Sequence, residues 1–296
     1  MEYNEGNFIY IRRHILLSYI DMLLDDPIAV LTFFLLALPG RLLAISAHEF
    51  AHAWMADRCG DPTARMLGRL TLNPIKHLDL VGTLMMLVLG FGWARPVPVN
   101  PHNFRNYRRD DLKVSIAGVT MNLILFIIGF LAMGLITGFT LHSLPHHMGM
   151  YMGAENLFVT TYAGEQVLVS GEYYYVIKDL FVNAPYLSEI LITPVLGKLA
   201  GYAYDMLMYF VLVNIALAVF NLLPVPPLDG YHVVNDLLLK RSLFASPKFA
   251  RIASGVLMML VFCTDIVSNL IQLVQNACMS GLGTGLFSLL GTIGFI

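Results

Sequence analysis

Four apolar runs, each long enough to cross a lipid bilayer as a helix, restrict this chain more than any other feature. A membrane-spanning helix needs about 20 mostly apolar residues, and in hydrocarbon each backbone N–H and C=O must be paired inside the protein. A helix meets that requirement within one segment. The sequence therefore predicts an α-helical polytopic membrane protein, folded as a helical bundle. The runs are Pro27–Asp57, which is interrupted by Pro39-Gly40, then Leu112–Phe139, Tyr202–Leu223 and Ala250–Val274.

The composition favours the lipid bilayer over water as the main surroundings of the chain. Hydrophobic residues make up 57% of it and charged residues 13%, against about 45–50% and about 25% in soluble domains. The net charge of −2 provides no basic excess for phosphates, so no nucleic-acid partner is expected. The 3 cysteines form no Cys-x-x-Cys pair, which argues against a thiolate metal site.

A fifth apolar run, Leu80–Gly90, is only about 11 residues long and is too short to cross a bilayer. It leads into Gly90–Pro101, which is rich in glycine and proline. A short apolar helix followed by such a turn predicts a membrane re-entrant loop. The backbone of that loop must be satisfied by protein or by a water-filled cavity.

The apolar runs divide the chain into four parts. Residues 1–26 form an amphipathic N-terminal segment, and we expect Phe8–Leu24 to be a helix on the membrane surface, although a span stays open as the alternative. Residues 27–139 form a membrane core with the re-entrant loop. Residues 140–201 form an insertion, and residues 202–296 complete the membrane core.

The charges between the runs predict an orientation in the plasma membrane. Lysine and arginine are concentrated in residues 58–113 and 240–251, whereas the insertion holds two lysines and no arginine. The positive-inside rule places the two basic segments in the cytoplasm and makes the insertion extracytoplasmic. Arg12 and Arg13 then lie on the outer side, against the rule.

The insertion itself is predicted to contain β-structure. Leu157–Tyr162 and Gln166–Val169 are rich in β-branched and aromatic residues and are separated by a glycine-containing turn, a pattern typical of a hairpin. Two strands alone are marginally stable. We therefore expect the insertion to form a small cap that leans on the outer mouth of the bundle.

The strongest chemical signal is His48-Glu49-Phe50-Ala51-His52, which lies inside the first apolar run. On a helix, positions four apart share one face, so both imidazoles can bind one metal ion. Glu49 can then act as the general base that deprotonates a water at a zinc ion. The motif also occurs by chance, but ionisable groups inside a membrane cost about 2.5–3.5 kcal/mol each and are functional by default.

A catalytic zinc site needs a third protein ligand, for which Asp229 is the best candidate. It follows a proline-rich stretch, Asn221–Pro227, at the end of the third apolar run. The prolines break the helix, which is tolerated at membrane depth only beside a cavity. The alternative is that Asp229 caps the N-terminus of a following helix.

Two further polar residues have open roles. Asn122 lies in the middle of the second apolar run. A buried amide there could bind a substrate backbone or an oxyanion, or could equally join helices by hydrogen bonds. His232 follows Asp229 and could support the metal ligands, although we expect it to point elsewhere.

Taken together, these residues resemble the site-2 protease family, the zinc intramembrane metalloproteases of peptidase family M50. The His48–His52 motif is similar to the family's zinc and base motif, and Asn221–Gly230 to the motif that carries its third zinc ligand. The departures are Val119 where proline is frequent, Arg95 where lysine is frequent, and Tyr231 where a small residue is usual. Further matching stretches are Gly60–Arg65, Gly68–Pro74, His77, Gly90–Asn100 and Ala117–Asn122.

The resemblance implies a zinc-dependent endopeptidase that cuts membrane-spanning protein substrates, with one Zn²⁺ per chain and an active site near the cytoplasmic side. It is closest in pattern to the compact bacterial and archaeal branch, so neither a PDZ nor a CBS domain is expected. We consider two alternatives. A metal transporter would need several ligands along one pore, which the second and third runs lack. An inactive relative that only binds substrates would not require Glu49.

The Gly90–Pro101 segment is predicted to present the substrate to the metal as an edge strand. Proteolysis needs an extended peptide, because a helix hides its carbonyl groups in its own hydrogen bonds. Pro96 and Pro98 lack N–H groups, so one side of the strand cannot donate. Trp93, Pro96 and Pro98 are therefore candidates, with Asn122, for contact with the substrate or its oxyanion.

Overall fold

The computed structural model describes residues 24–89, 92–147, 156–160, 166–170, 192–239 and 247–292. The predicted N-terminal helix over Phe8–Leu24 lies outside the described residues, except for Leu24. The described part is mainly helical. Its helices are α1 (Pro27–Cys59), α2 (Thr63–Met66), α3 (Leu80–Leu89), α4 (Tyr107–His147), α5 (Thr193–Leu196), α6 (Lys198–Asn221), α7 (Asp229–Val234), α8 (Pro247–Cys263) and α9 (Ile266–Thr292).

Three helices, α1, α4 and α6, are long and apolar enough to cross a membrane. They contain the first two predicted runs and all but the last two residues of the third, and they confirm a helical protein with several candidate spans. Helix α1 continues through Pro39, so the interruption predicted at Pro39-Gly40 does not break it. The first turns of a helix tolerate proline best, but a long helix with packed neighbours accommodates one inside.

The fourth predicted run is bent in the structure. Helices α8 and α9 meet at a short break, and their candidate spanning parts, Lys248–Val261 and Ile266–Gly283, are inclined by 69°. Among the described residues there are thus three candidate spans, or four if this bent pair crosses the membrane as one unit. The break falls at Thr264 and Asp265, the one acidic residue of the run.

The core lies where α1, α4 and α6 pack against one another. Met133 of α4 and Tyr204 and Met208 of α6 are at most 1% exposed, and the Tyr204 hydroxyl is 2.9 Å from Thr137 Oγ1. Gly40 brings α1 close to α6, because a Cβ at this position would lie 3.0 Å from the Cα of Phe210. This close packing fixes the position of the second half of α1, which carries the His48–His52 motif.

Helix α3 and the glycine-proline segment fold back on each other. The Asp79 carboxylate accepts a hydrogen bond from the Gly82 N–H and so caps α3. After α3 the chain returns and forms an antiparallel bridge between Leu78 and Ala94. Residues 95–100 then run without helix or strand to Asn100, whose backbone is extended. The short helix and its return agree with the sequence prediction, whereas the re-entrant position in a membrane stays a prediction.

In the insertion the structure describes two strands, β1 (Asn156–Thr160) and β2 (Gln166–Ser170). They pair antiparallel, with Phe158 opposite Leu168. Neither the outer position of this insertion nor its role as a cap follows from the pairing, and both stay predictions.

Replacing Gly40 by leucine should destabilise the protein by about 1–3 kcal/mol, because the added side chain must push α1 away from the Phe210 backbone. The midpoint of thermal unfolding in detergent micelles measures this effect. Gly281→Leu on α9 is the matched control, since a Cβ there meets nothing within 4 Å. Equal midpoints for the two variants would contradict this account of the packing of α1 on α6.

Candidate metal centre

Three side chains that are far apart in the sequence converge at one point. His48 and His52, one turn apart on α1, face Asp229 at the start of α7. The two Nε2 atoms are 2.9 Å apart, and each lies 3.3 Å from Asp229 Oδ2. The three side chains are 9%, 12% and 17% exposed, respectively. In the described part of the chain they form one group that could hold a metal ion.

The proton of the His48 ring is located by a chain of amide hydrogen bonds. The Phe210 carbonyl can only accept, so the Asn214 amide nitrogen donates to it at 2.8 Å. Asn214 Oδ1 then accepts from Asn122 Nδ2 at 2.9 Å, and Asn122 Oδ1, 2.5 Å from His48 Nδ1, accepts from that nitrogen. The neutral ring therefore carries its proton on Nδ1 and presents a lone pair at Nε2.

The tautomer of His52 is fixed in the same way as that of His48. Its Nδ1 lies 2.7 Å from the Val114 carbonyl oxygen, which can only accept, so Nδ1–H donates and Nε2 presents a lone pair. Two imidazole lone pairs and a carboxylate oxygen thus face one another within 3.3 Å. Asp229 Oδ2 is buried without a hydrogen-bond donor of its own. Such an arrangement is repulsive unless a proton or a metal cation lies between the three atoms.

Zinc fits this set of donors. Zinc binds imidazole nitrogen and carboxylate oxygen at about 2.0–2.2 Å in a tetrahedron, which separates ligand atoms by roughly 3.3 Å. The observed separations are 2.9 and 3.3 Å. Gly118 of α4 leaves the space that the two imidazoles occupy, which we call the cradle. A Cβ at this position would lie 2.7 Å from His48 Nε2 and still closer to His52 Nε2.

Asp229 is held in place by the proline-rich turn that follows α6. Leu228, in an extended conformation, precedes the first residue of α7, and its position leaves the Asp229 side chain free to face α1 rather than to cap the helix. The alternative role as an N-cap is therefore wrong. Gly230 allows this turn to close, because a Cβ there would collide with the backbone of Leu222 and Leu223.

Glu49 contacts the segment that follows α3, residues 95–100. Its Oε2 accepts a hydrogen bond from the Val97 N–H at 2.8 Å. Arg69 holds the same segment from behind, since its Nη2 donates to the carbonyls of Arg95 at 2.7 Å and Pro96 at 3.3 Å. The segment thus connects the candidate base, Glu49, with the buried guanidinium group of Arg69.

Asp61, which is fully buried, anchors the far end of this segment. It accepts hydrogen bonds of 2.7 Å from the Asn100 N–H and from the Asn103 amide, and others from Thr63. Burial alone raises the pKa of its carboxyl, but these donors outweigh burial and lower the pKa. Asp61 therefore stays ionised and keeps the segment fixed beside the end of α1.

The candidate site opens into a cavity of about 490 Å³. Glu49, both histidines and Asp229 line it, as do Trp93 and Pro96, two of the residues predicted to contact a substrate. Trp93 is 37% exposed and is therefore accessible to a ligand. Pro98 is not among the lining residues. Asn122 is fully buried behind His48, so of its two predicted roles the structure favours hydrogen bonding between helices.

Comparison with known proteins decides the family. The profile of Peptidase family M50 matches residues 33–264, which include both sequence motifs and all three candidate ligands. The chain belongs to Peptidase family M50. No solved structure matches it.

The M50 relatives carry names of the same kind. The chain is 35% identical to "Putative zinc metalloprotease YwhC" of Bacillus subtilis over 221 residues, which is 74% of each chain. It is 32% identical to "Putative zinc metalloprotease Rip2" of Mycolicibacterium smegmatis over 107 residues, 34% of this chain and 41% of the relative. The protein of that name from Mycobacterium tuberculosis is 32% identical over 104 residues, 34% and 40% of the two chains.

The sequence predicted the three candidate ligands that converge in this M50 protein but not the groups that support them. Asn214 gives a signal that could have been used, since it is a polar residue within an apolar run, as Asn122 is. The Val114 carbonyl gives no signal in the sequence, because the backbone carbonyl of any residue type could accept the hydrogen bond from His52. Asp111 and His232 line the cavity together, and their sequence separation of 121 residues conceals the pairing.

Replacing Gly118 by alanine should weaken zinc binding by about 10- to 100-fold, the range found when groups that orient metal ligands are disturbed. The added methyl group displaces both imidazoles from the common point. Isothermal titration of metal-free protein with zinc measures the change. Gly255→Ala, where a Cβ meets nothing within 4 Å, should bind as wild type does; equal affinities for the two variants would contradict the cradle.

Proposed function

We propose that this M50 protein is a zinc-dependent endopeptidase that hydrolyses peptide bonds of membrane-spanning substrates. The observation that carries the proposal is the convergence of two imidazole lone pairs and the Asp229 carboxylate beside Glu49, in a cavity between candidate membrane helices. Three protein ligands with an open side toward a cavity are typical of a catalytic rather than a structural zinc site. The family and the names of the relatives agree with it.

In this proposal His48, His52 and Asp229 hold the ion. When bound, zinc supplies Lewis acidity, which polarises a peptide carbonyl and lowers the pKa of a water. Glu49 orients that water and takes one proton from it as the oxygen forms a bond with the carbonyl carbon. Glu49 then delivers the proton to the leaving nitrogen as the C–N bond breaks. Water enters as the second reactant, and no further reagent is needed.

Residues 95–100, the segment beside Glu49, are proposed to align the substrate. Val97 directs its N–H to Glu49, and Arg69 occupies carbonyls of Arg95 and Pro96, so this part of the segment is rigid. An extended peptide could pair with the remaining backbone polar groups of this segment, with Trp93 and Pro96 in contact across the cavity. Substrates that span the membrane are proposed because the cavity is surrounded by apolar helices, and such substrates must unwind locally before cleavage.

The proposed location is the plasma membrane, with the site nearer the cytoplasm. His48 and His52 lie in the second half of α1, which ends at Cys59, and the basic segment 58–113 begins at that end. The positive-inside rule places that end of α1 in the cytoplasm. Water needed for hydrolysis can reach the cavity from this side.

A metal transporter is the less favoured alternative. Transport requires successive binding sites along a path, whereas the described residues contain a single group of three potential ligands. An inactive substrate-binding relative is also less favoured, because Glu49 is present and lines the same cavity as the ligands.

Removal of ligands should remove the metal. We expect about one tightly bound zinc per chain in the wild type, and a zinc content near zero in the His52→Ala, Asp229→Ala double variant. Elemental analysis after dialysis measures both. His102→Ala, which removes an exposed histidine, is the control and should keep its zinc. Full retention of zinc in the double variant would contradict the assignment of these residues as ligands.

Glu49→Gln should abolish proteolysis while zinc content and fold are preserved. Glutamine has nearly the shape of glutamate but cannot take a proton from water, and a general base contributes about 10²–10⁴-fold to the rate. Cleavage of a membrane-anchored reporter in proteoliposomes measures activity, and the variant should trap the uncut reporter. Cleavage at the wild-type rate would exclude Glu49 from the mechanism.

A further inference from the structure

A second pair of ionisable side chains lies on the wall of the cavity, outside the ligand set. His232 is one helical turn after Asp229 on α7, and its Nδ1 is 3.0 Å from Asp111 Oδ2 of α4. Both residues line the cavity. The His232 side chain is 44% exposed and that of Asp111 is 12% exposed. A peptide in the cavity can therefore reach the imidazole of His232 more readily than the carboxylate of Asp111.

The hydrogen bond fixes which nitrogen of His232 is available. A carboxylate can only accept, so Nδ1–H is the donor to Asp111 and Nε2 is the nitrogen left to act on a ligand in the cavity. The same contact favours the doubly protonated ring, in which Nε2 also carries a hydrogen. The hydrogen bond to Asp111 raises the pKa of His232, burial opposes it, and the charges of Asp111, Asp229 and Asp236 raise it further.

The other charged and titratable groups around His232 lie on α4, on α7 and in Asn235–Leu239, the turn of helix that follows α7. The Tyr231 ring stacks edge-on at 5.2 Å. Burial and the neighbouring Asp111 raise the pKa of Asp236 to about 6, so this residue adds less negative charge in mildly acidic solution. From α4, Tyr107 is near Asp111 and Asp236, and Arg108 donates to the Asp236 carbonyl.

We propose that His232 is a catalytic residue of the endopeptidase, whose Nε2–H donates a hydrogen bond to the scissile carbonyl oxygen as negative charge develops on it. Asp111 is the positioning residue that orients the ring and favours its charged form. This inference rests on the proposed function. A donor aimed at developing charge in a partly dry site stabilises the transition state more than the ground state.

The competing explanation is that the Asp111–His232 contact has only a structural role, as a clasp between two helices. Because the Asp111–His232 contact joins α4 to α7, it could act only by holding Asp229 in place for the metal. The two explanations differ in which nitrogen matters. A clasp needs Nδ1 alone, whereas the catalytic role needs Nε2.

Two substitutions separate the nitrogens. His232→Asn places an amide N–H near the position of Nδ1 and keeps the contact with Asp111 but has nothing at Nε2. His232→Gln can place its N–H near the position of Nε2. We expect His232→Asn to lower kcat by about 10²-fold, the typical loss for one oxyanion donor, with KM and zinc content unchanged. His232→Gln should recover part of that loss.

A second readout does not depend on turnover. A peptidyl phosphinate resembles the tetrahedral transition state, whereas the uncut reporter resembles the ground state. In the Glu49→Gln background, His232→Asn should weaken binding of the phosphinate and leave binding of the reporter unchanged. Asp111→Asn should shift the alkaline limb of the pH profile of kcat/KM to lower pH, because loss of the carboxylate charge makes the imidazolium less stable.

The outcomes are distinct. A wild-type kcat in His232→Asn, or a loss of kcat accompanied by loss of zinc, would overturn the catalytic role of His232, and the latter would establish the clasp. An unchanged pH profile in Asp111→Asn would overturn the role of Asp111. If the wild type binds zinc but cuts no reporter and binds no phosphinate, the proposed function fails, and this inference fails with it.

Discussion

The mutual repulsion of three lone pairs is the constraint on which the rest of the structure depends. His48 and His52 each donate a hydrogen bond from Nδ1–H to an oxygen atom of α4, so both Nε2 atoms face Asp229 Oδ2 as acceptors within 3.3 Å. Bringing such atoms together without a cation costs free energy, and burial increases that cost. The fold has to assemble the three atoms from two distant parts of the chain, and a cation makes the assembly favourable.

Most other features of the bundle serve that assembly. Gly40 allows α6 to approach α1, and Gly118 allows α4 to approach the histidines. The amides of Asn122 and Asn214 then connect all three helices through one line of hydrogen bonds that ends at His48. Polar groups in an apolar interior need such complete pairing. The same contacts that pack the helices therefore also set the tautomer of His48, a candidate metal ligand.

The sequence predicted those parts of the account that depend on local pattern. Long apolar runs are sufficient to predict helices α1, α4 and α6, and the spacing of His48 and His52 places both on one face of a helix. Asp229 could be proposed because the prolines before it break the helix at the end of an apolar run, which is tolerated at membrane depth only beside a cavity. The resemblance to a known family made that choice specific, and the match to Peptidase family M50 confirmed the family.

Features that depend on distant contacts could not be predicted. The sequence gives no sign that the Val114 carbonyl orients His52, or that Asp111 meets His232 across 121 positions. The bend between α8 and α9 was also missed, because one acidic residue in an apolar run does not by itself indicate a break. Asn122 had two equally reasonable roles, and only its neighbours, His48 and Asn214, distinguish them.

The central claim is that these three residues hold a zinc ion with an open coordination position. X-ray absorption at the zinc K edge, measured on purified protein in detergent, tests it most directly. The account predicts four nitrogen or oxygen neighbours at about 2.0–2.2 Å, with the outer-shell scattering of two imidazole rings. Sulfur neighbours at about 2.3 Å, or a shell without imidazole scattering, would contradict it.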